Sequence, residues 1–315
     1  MIRPNYRIGN ILFLTPLINE IQKELPNTKI DIIVGMKLAG KILEPIPNID
    51  KVIDIPRKLL LHPIQLFSII KNIRKKRYDL AINISDGSLS SEITTKLINA
   101  KYKASFQNEK TLISLTHTVK KENRYNHAGS TALELLKLLT DDIPNNNIKL
   151  DIKLTNIEIK KGKNELNNLL FKSNIINNNT TKYTTVALFR NARFDKKISD
   201  EWWNSWYNEL INIDKNIIVI DVLSPDIPSK LNENVLEYSN KNLRILGAFF
   251  KSCDLYISAD TGPLHLALAS NAKCLALFNK TSIDKYGTLG EQNLTIDINN
   301  LSPKDIANKT IEIIS

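Results

Sequence analysis

Short apolar runs alternate with stretches of helical spacing along almost the whole chain, and this alternation limits the fold more than any other feature. In the first half the strand-like runs are IDIIVG (30–35), KVIDIP (51–56), YDLAINIS (78–85) and KYKASFQ (101–107). Helical spacing occupies 14–24, 64–76, 90–98 and 129–139. In the second half the strand-like runs are TTVALF (184–189), NIIVIDVL (216–223), DLYIS (254–258), CLALF (274–278) and LTIDI (294–298). Helical patterns separate them near 201–211, 243–251 and 264–270, and a last helix at 302–314 has Pro303 at its first turn. Strands alternating with helices predict parallel sheets covered on both faces, an α/β class. Between 140 and 182 the texture changes, because PNNN (144–147) and INNNTTK (176–182) are turn-rich and enclose a helical stretch at 157–171. That segment reads as the junction of two Rossmann-like domains, 1–155 and 156–302, facing each other across a central cleft. Residues 303–315 form a closing helix.

A chain of 315 residues with 42% hydrophobic content can bury a core in each of two domains. Its two cysteines, Cys253 and Cys274, both fall in apolar strand-like runs. They read as buried free thiols of a reducing compartment, with no zinc spacing. Met1–Asn10 is too polar for a secretory leader, and no apolar run approaches the roughly 18 residues needed to span a bilayer. A cytoplasmic protein is therefore expected. The formal charge is +10, with local density in KNIRKKR (71–77) and KKGK (160–163). Neither run is interleaved with aromatics, which argues against nucleic acid as a partner. The charge suits a phosphorylated substrate or the inner face of a membrane.

Three motifs carry polar groups at the edges of these strands. In SADTGPLHLALASNAKCLALF (258–278) a strand, a tight turn, a small-residue helix and a second strand form a βαβ unit. Its polar cluster lies at the carboxyl end of a strand, where ligands of open parallel sheets bind. Asp260 can accept hydrogen bonds from sugar hydroxyls. Thr261 and Gly262 open a helix whose free N–H groups can hold phosphate oxygens, and His265 lies one turn in. In LFRNARFDKKISDEWW (188–203) the strand end is followed by Arg190, Arg193, Lys196 and Lys197, cations suited to a diphosphate. Ser199 is placed to cap the next helix, and at least two of Trp202, Trp203 and Trp206 belong in a core. In RIGNILFLTPLINEIQKELPNTKIDIIVG (7–35), Gly9 and Asn10 follow Arg7 and precede a helix that starts near 12–15. Glycine there permits close approach of a ligand to the backbone.

The stretch ADTGPLHLALASNAKCLALF resembles the donor-site signature of glycosyltransferase family 9, the ADP-heptose:lipopolysaccharide heptosyltransferases. That signature has a D-[TS]-G-x-x-H turn, a small-residue helix, a strand and a Phe-Gly-x-Thr turn. Here the last turn is Phe278-Asn279-Lys280-Thr281, without the glycine. IGNILFLTPLINEIQKELPNTKIDIIV resembles the family's opening glycine loop and first helix, and YDLAINISDGSLSS a later strand and loop. ARFDKKISDEWW resembles its Arg-x-x-Lys element before a Trp-bearing helix. The resemblance implies a GT-B fold whose first domain, with Arg7 and Gly9 in its opening loop, receives the acceptor and whose second holds the nucleotide sugar. It implies an inverting transfer that needs no metal ion and no cofactor beyond the co-substrate, ADP-heptose. The acceptor implied is a lipopolysaccharide core or a related anionic glycolipid, met at the cytoplasmic face of the inner membrane by a peripheral enzyme.

Donor contacts then fall to Arg193, Lys196, Asp260, Thr261, Gly262 and His265. In such folds the last helix, 303–315, often crosses back to the first domain. Family members commonly carry Gly-Asp in the first loop, the aspartate being the proposed base. This chain has Gly9-Asn10, and an amide cannot take up a proton at useful pH. Another carboxylate such as Asp86 serves as base, the acceptor needs little assistance, or the chain is a catalytically impaired glycan- or nucleotide-binding homologue. A sugar-nucleotide epimerase of the same architecture is a further alternative. Only Met1–Pro4 precedes the loop, so the first strand is expected to be a stub or to lack its beginning.

Overall fold

Each half of the chain builds a six-stranded sheet in which every neighbouring pair of strands runs parallel. A computed structural model of the chain describes all residues except 56–62, 86, 109–112, 123–124, 145–147, 174–182 and 226–228. It divides into two units, Met1–Ile148 and Lys149–Ser315. No helix among the described residues is long and apolar enough to cross a membrane.

The first sheet contains β1 (Ile2–Arg3), β2 (Ile30–Val34), β3 (Ile49–Asp54), β4 (Tyr78–Asn83), β5 (Ala100–Phe106) and β6 (His117–Val119), in the order β3-β2-β1-β4-β5-β6. The expected stub strand is present at the centre: Ile2 pairs with Ile33 on one side and Asn83 on the other and is fully buried. The second sheet contains β7 (Thr184–Phe189), β8 (Ile217–Val222), β9 (Leu236–Tyr238), β10 (Leu255–Ala259), β11 (Cys274–Phe278) and β12 (Leu294–Asp297), in the order β12-β11-β10-β7-β8-β9. Counted within each unit, both sheets follow the doubly wound order 3-2-1-4-5-6, so the direction of winding reverses between β1 and β4 and between β7 and β10. β2, β8, β10 and β11 are buried along their whole length, which accounts for runs that are apolar rather than alternating.

In the first unit α1 (Ile8–Leu12), α2 (Thr15–Glu24) and α3 (Leu38–Leu43) precede β3, and α4 (Pro63–Lys75) and α5 (Leu89–Leu97) lead to β4 and β5. The connections through α4 and α5 cross the sheet in the same direction. Right-handed crossovers therefore set both helices on one face, parallel to each other, each beginning at the carboxyl edge. The helix expected at 129–139 is a 3-10 helix, Thr131–Leu138. The core below α4 and α5 gathers Ile2, Ile33, Ile73, Ala81 and Ile98.

The second unit begins earlier than the 155/156 boundary read from the sequence, because a buried arginine straps the intervening segment to it. Arg244 on α8 (Leu243–Ser252) donates to the carbonyls of Ile152 and Lys153 and pairs with Glu158 of α6 (Asn156–Lys172) at 2.6 and 2.8 Å. α6 starts in a reciprocal cap in which the Thr155 hydroxyl accepts from the Glu158 N–H and the Glu158 carboxylate accepts from the Thr155 N–H. It approaches α8 so closely that a Cβ on Gly162 would stand 2.4 Å from the Ala248 backbone. α7 (Asp200–Ile213) is capped by Ser199 and buries Trp203 and Trp206 in an edge-to-face pair 5.5 Å apart. α11 (Pro303–Ile314), for which the resemblance implies a path back to the first domain, buries Ile306 and Ala307 in this same core. Its Thr310 accepts from the Trp206 indole at 3.3 Å. α9 (Gly262–Ala269) and α10 (Ile283–Tyr286) complete the unit. Cys253 and Cys274 are both free and buried, and burial pushes both thiols up.

Candidate functional site

Lys196 and Asp260, 64 residues apart, meet because the two strands that precede them are neighbours. Lys196 ends a 3-10 turn (Phe194–Lys196) beyond β7, and Asp260 is the first residue after β10. Both therefore stand at the carboxyl edge of the second sheet where its winding reverses, the place at which doubly wound sheets bind ligands. The Lys196 ammonium donates to Asp260 Oδ2, and His265 Nε2 lies 3.4 Å from Oδ1. Burial by itself would raise the Asp260 carboxyl. The hydrogen bonds from His265 and Lys196, with the Lys196 charge, outweigh it and hold the group at about 2, an anion throughout the physiological range.

Thr261 caps α9 in extended conformation, its hydroxyl accepting from the Leu264 N–H at 3.2 Å. Pro263 has no N–H, so of the first three helical positions Gly262 is the one whose amide has no partner among the described residues. Phosphate binding at this helix start narrows from a general expectation to that one donor. Asn279 lies in the turn where the glycine was expected, and its side chain donates to the Asp195 carbonyl at 3.2 Å. The turn after β11 is thereby tied to the turn that carries Lys196. Sequence reading treated Asn279 only as a missing glycine; its polarity beside an otherwise matching Phe-x-x-Thr turn was the available signal.

The four cations after β7 part company. Arg190, grouped with the diphosphate-facing residues in the sequence, is 5% exposed and spends its donors inside the fold. It reaches Asp221 at 2.8 Å, Asp200 at 2.7 Å and the Ser229 carbonyl at 2.8 Å. The cause is Asp221, fully buried on β8, whose carboxyl burial pushes up and Arg190 pulls down. Arg190 is a brace between β7, β8 and α7. Arg193 and Lys197 are exposed, and Arg193, three residues before Lys196, has no partner among the described residues.

In the first unit Arg7, Gly9 and Asn10 lie just past β1, again at the edge where the winding reverses. They do not form the open loop expected. Arg7 is the N-cap of α1, Gly9 is buried within that helix, and Asn10 is half-buried in it with a side-chain amide that has no partner among the described residues. Five residues of additional helix fit here because Ile11 and Leu12 are apolar and fully buried. Asp86 lies outside the described residues. Its neighbour Gly87, at φ +67°, is where the turn after β4 requires a glycine.

The sequence model of glycosyltransferase family 9 (heptosyltransferase) matches residues 66–312. Lipopolysaccharide heptosyltransferase 3 of Escherichia coli is 24% identical over 287 residues, covering 87% of this chain and 81% of that protein. Two solved structures share the fold at a TM-score of 0.77. One is the family 9 glycosyl transferase from Veillonella parvula, at 16% identity and covering 99% of this chain and 94% of the other. The second is E. coli heptosyltransferase WaaC with ADP, at 18% identity and covering 100% and 99%.

Proposed function

The chain belongs to glycosyltransferase family 9, the heptosyltransferases, and from that premise we propose that it moves a heptose from ADP-heptose to a lipopolysaccharide core or a related anionic glycolipid. The transfer inverts the anomeric carbon and uses no metal ion. The observation that carries this reading is the pairing of Lys196 with Asp260 at the reversal point of the second sheet. One side chain suits a diphosphate and the other suits sugar hydroxyls, and they stand within one small molecule of each other. The WaaC structure with ADP supports adenine as the base, and the name of heptosyltransferase 3 supports a lipopolysaccharide acceptor.

In this reading the second unit holds the donor. The Lys196 ammonium and the Arg193 guanidinium neutralise the diphosphate as the bond from C1 of the sugar to its oxygen breaks and the electron pair moves onto ADP. The Gly262 amide, at the positive end of α9, donates to a phosphate oxygen. Asp260, kept ionised, accepts from a sugar hydroxyl. The first unit receives the acceptor, whose hydroxyl attacks C1 from the opposite face and must lose its proton. Asn10 can accept a hydrogen bond from that hydroxyl and orient it but cannot take the proton, which passes to another carboxylate or to water. The enzyme works in the cytoplasm, at the inner face of the membrane that carries its acceptor.

Calorimetric titration of ADP, UDP and GDP into the whole chain and into Lys196→Ala tests the donor side. ADP is expected to bind in preference to the other two, and Lys196→Ala to weaken it by about tenfold to a hundredfold, the range of a charge-assisted hydrogen bond. Unchanged ADP affinity in the variant removes the phosphate role of Lys196. A preference for UDP or GDP removes ADP-heptose as donor.

A further inference from the structure

α4 and α5 expose a face that the proposed chemistry does not use. On α4, Ile64 is 85% and Phe67 69% exposed; on α5, Leu89 is 57% and Ile93 46% exposed. Spacings of three and four residues place each pair on one side of its helix. Because the two helices run parallel and both start at the carboxyl edge, the four apolar side chains gather at the same end. Toward the other end the same outward sides carry Lys71, Arg74 and Lys75 on α4 and Lys96 on α5, all exposed. α4 contains no carboxylate, and the single one on α5, Glu92, is buried. The exposed sides of the two helices are thus apolar at one end and cationic at the other, and neither helix exposes a carboxylate. Charge is also unequal between the units: the first has 22 Lys and Arg against 14 Asp and Glu, the second 21 against 19.

We infer that this face docks on an anionic lipid bilayer, with Ile64, Phe67, Leu89 and Ile93 entering the boundary between headgroups and acyl chains. Apolar side chains beside an unopposed row of cations are the composition of an interfacial helix, and an aromatic among them favours the headgroup level. The cations meet lipid phosphates, whose field attracts basic groups within about a Debye length. A protein partner is less well matched, since nothing on this face offers an acidic or geometrically specific counterpart. Such docking deepens the proposed function, because it brings the first unit to the surface in which a glycolipid acceptor is embedded. It reads out without any sugar transfer, so its failure leaves the donor site untouched.

The test is flotation of the full chain with vesicles of phosphatidylcholine alone and of phosphatidylcholine with phosphatidylglycerol. The wild type is expected to float with the anionic vesicles and to be released from them by high salt. Phe67→Ser with Ile64→Ser, and Lys71→Glu with Arg74→Glu, are each expected to lower the bound fraction by about tenfold or more while ADP binding stays as in the wild type. Equal flotation of the wild type and both variants overturns the assignment, as does failure of the wild type to bind anionic vesicles. Sedimentation velocity is run alongside. A wild-type dimer that the serine variant dissociates identifies a second copy of the chain as the occupant and overturns the lipid.

Discussion

Asn10 stands where the resemblance to glycosyltransferase family 9 implies an aspartate, and its environment sharpens the question of what it does. The residue is half-buried in the short helix α1, with an amide that no group among the described residues engages. A side chain so placed is free to hold an acceptor hydroxyl but brings no basicity. General-base assistance is worth about 10²–10⁴-fold in typical cases. Asn10→Asp is expected to raise kcat by at least about tenfold, measured as ADP release with a heptose-accepting glycolipid; an unchanged kcat means that the proton already has another destination. The pairing of Lys196 with Asp260, on which the proposed donor site rests, was more legible in the sequence than this residue. Lys196 and Asp260 each end a recognisable apolar strand, and adjacency of those strands in the sheet brings them together. Arg190 was not legible, because its fate is decided by Asp221, 31 residues away, whose burial no local pattern announces.

Among the elements, the long buried strands and the capped helices could be read directly, whereas β6 and β9 could not. His117–Val119 and Leu236–Tyr238 are three residues each, at the sheet edges, partly exposed, and too short to show a period. α6 was legible as a helix of the second unit, but the segment 149–155 ahead of it was not. Its affiliation rests on Arg244, which reaches the Ile152 and Lys153 carbonyls and, across 86 residues, Glu158. The hydrogen bond from Arg244, with the cap at Thr155, holds the Glu158 carboxyl at about 2, below its ordinary 4.5. A depressed carboxylate stabilises the fold fully above its unfolded value and loses that contribution as the pH falls through the folded value. The second unit is therefore expected to lose stability between about pH 4.5 and pH 2, followed by urea unfolding. Glu158→Gln is expected to be less stable at pH 7 and to show a flatter acid profile.

For the whole molecule, the two units repeat one winding order, to which the proposed function gives different duties. Sequence alternation disclosed both units, but not that each has six strands or that the division falls at Ile148. The second unit contains its own core, its own capped helices and every residue proposed above to hold the donor. A fragment 149–315 is therefore expected to melt cooperatively and to bind ADP within about tenfold of the full chain, as charge-assisted contacts from that unit supply the phosphate binding. Loss of ADP binding by a folded fragment would instead show that the first unit completes the nucleotide pocket. The uniform direction of the strands has a practical corollary. Since Lys196 and Asp260 follow the far ends of β7 and β10, the returns into the opposite ends, such as the exposed stretch around Lys215 before β8, take no part in the proposed chemistry. A dye or a tether fixed at Lys215 can hold the molecule on a support with its working edge turned toward the solution.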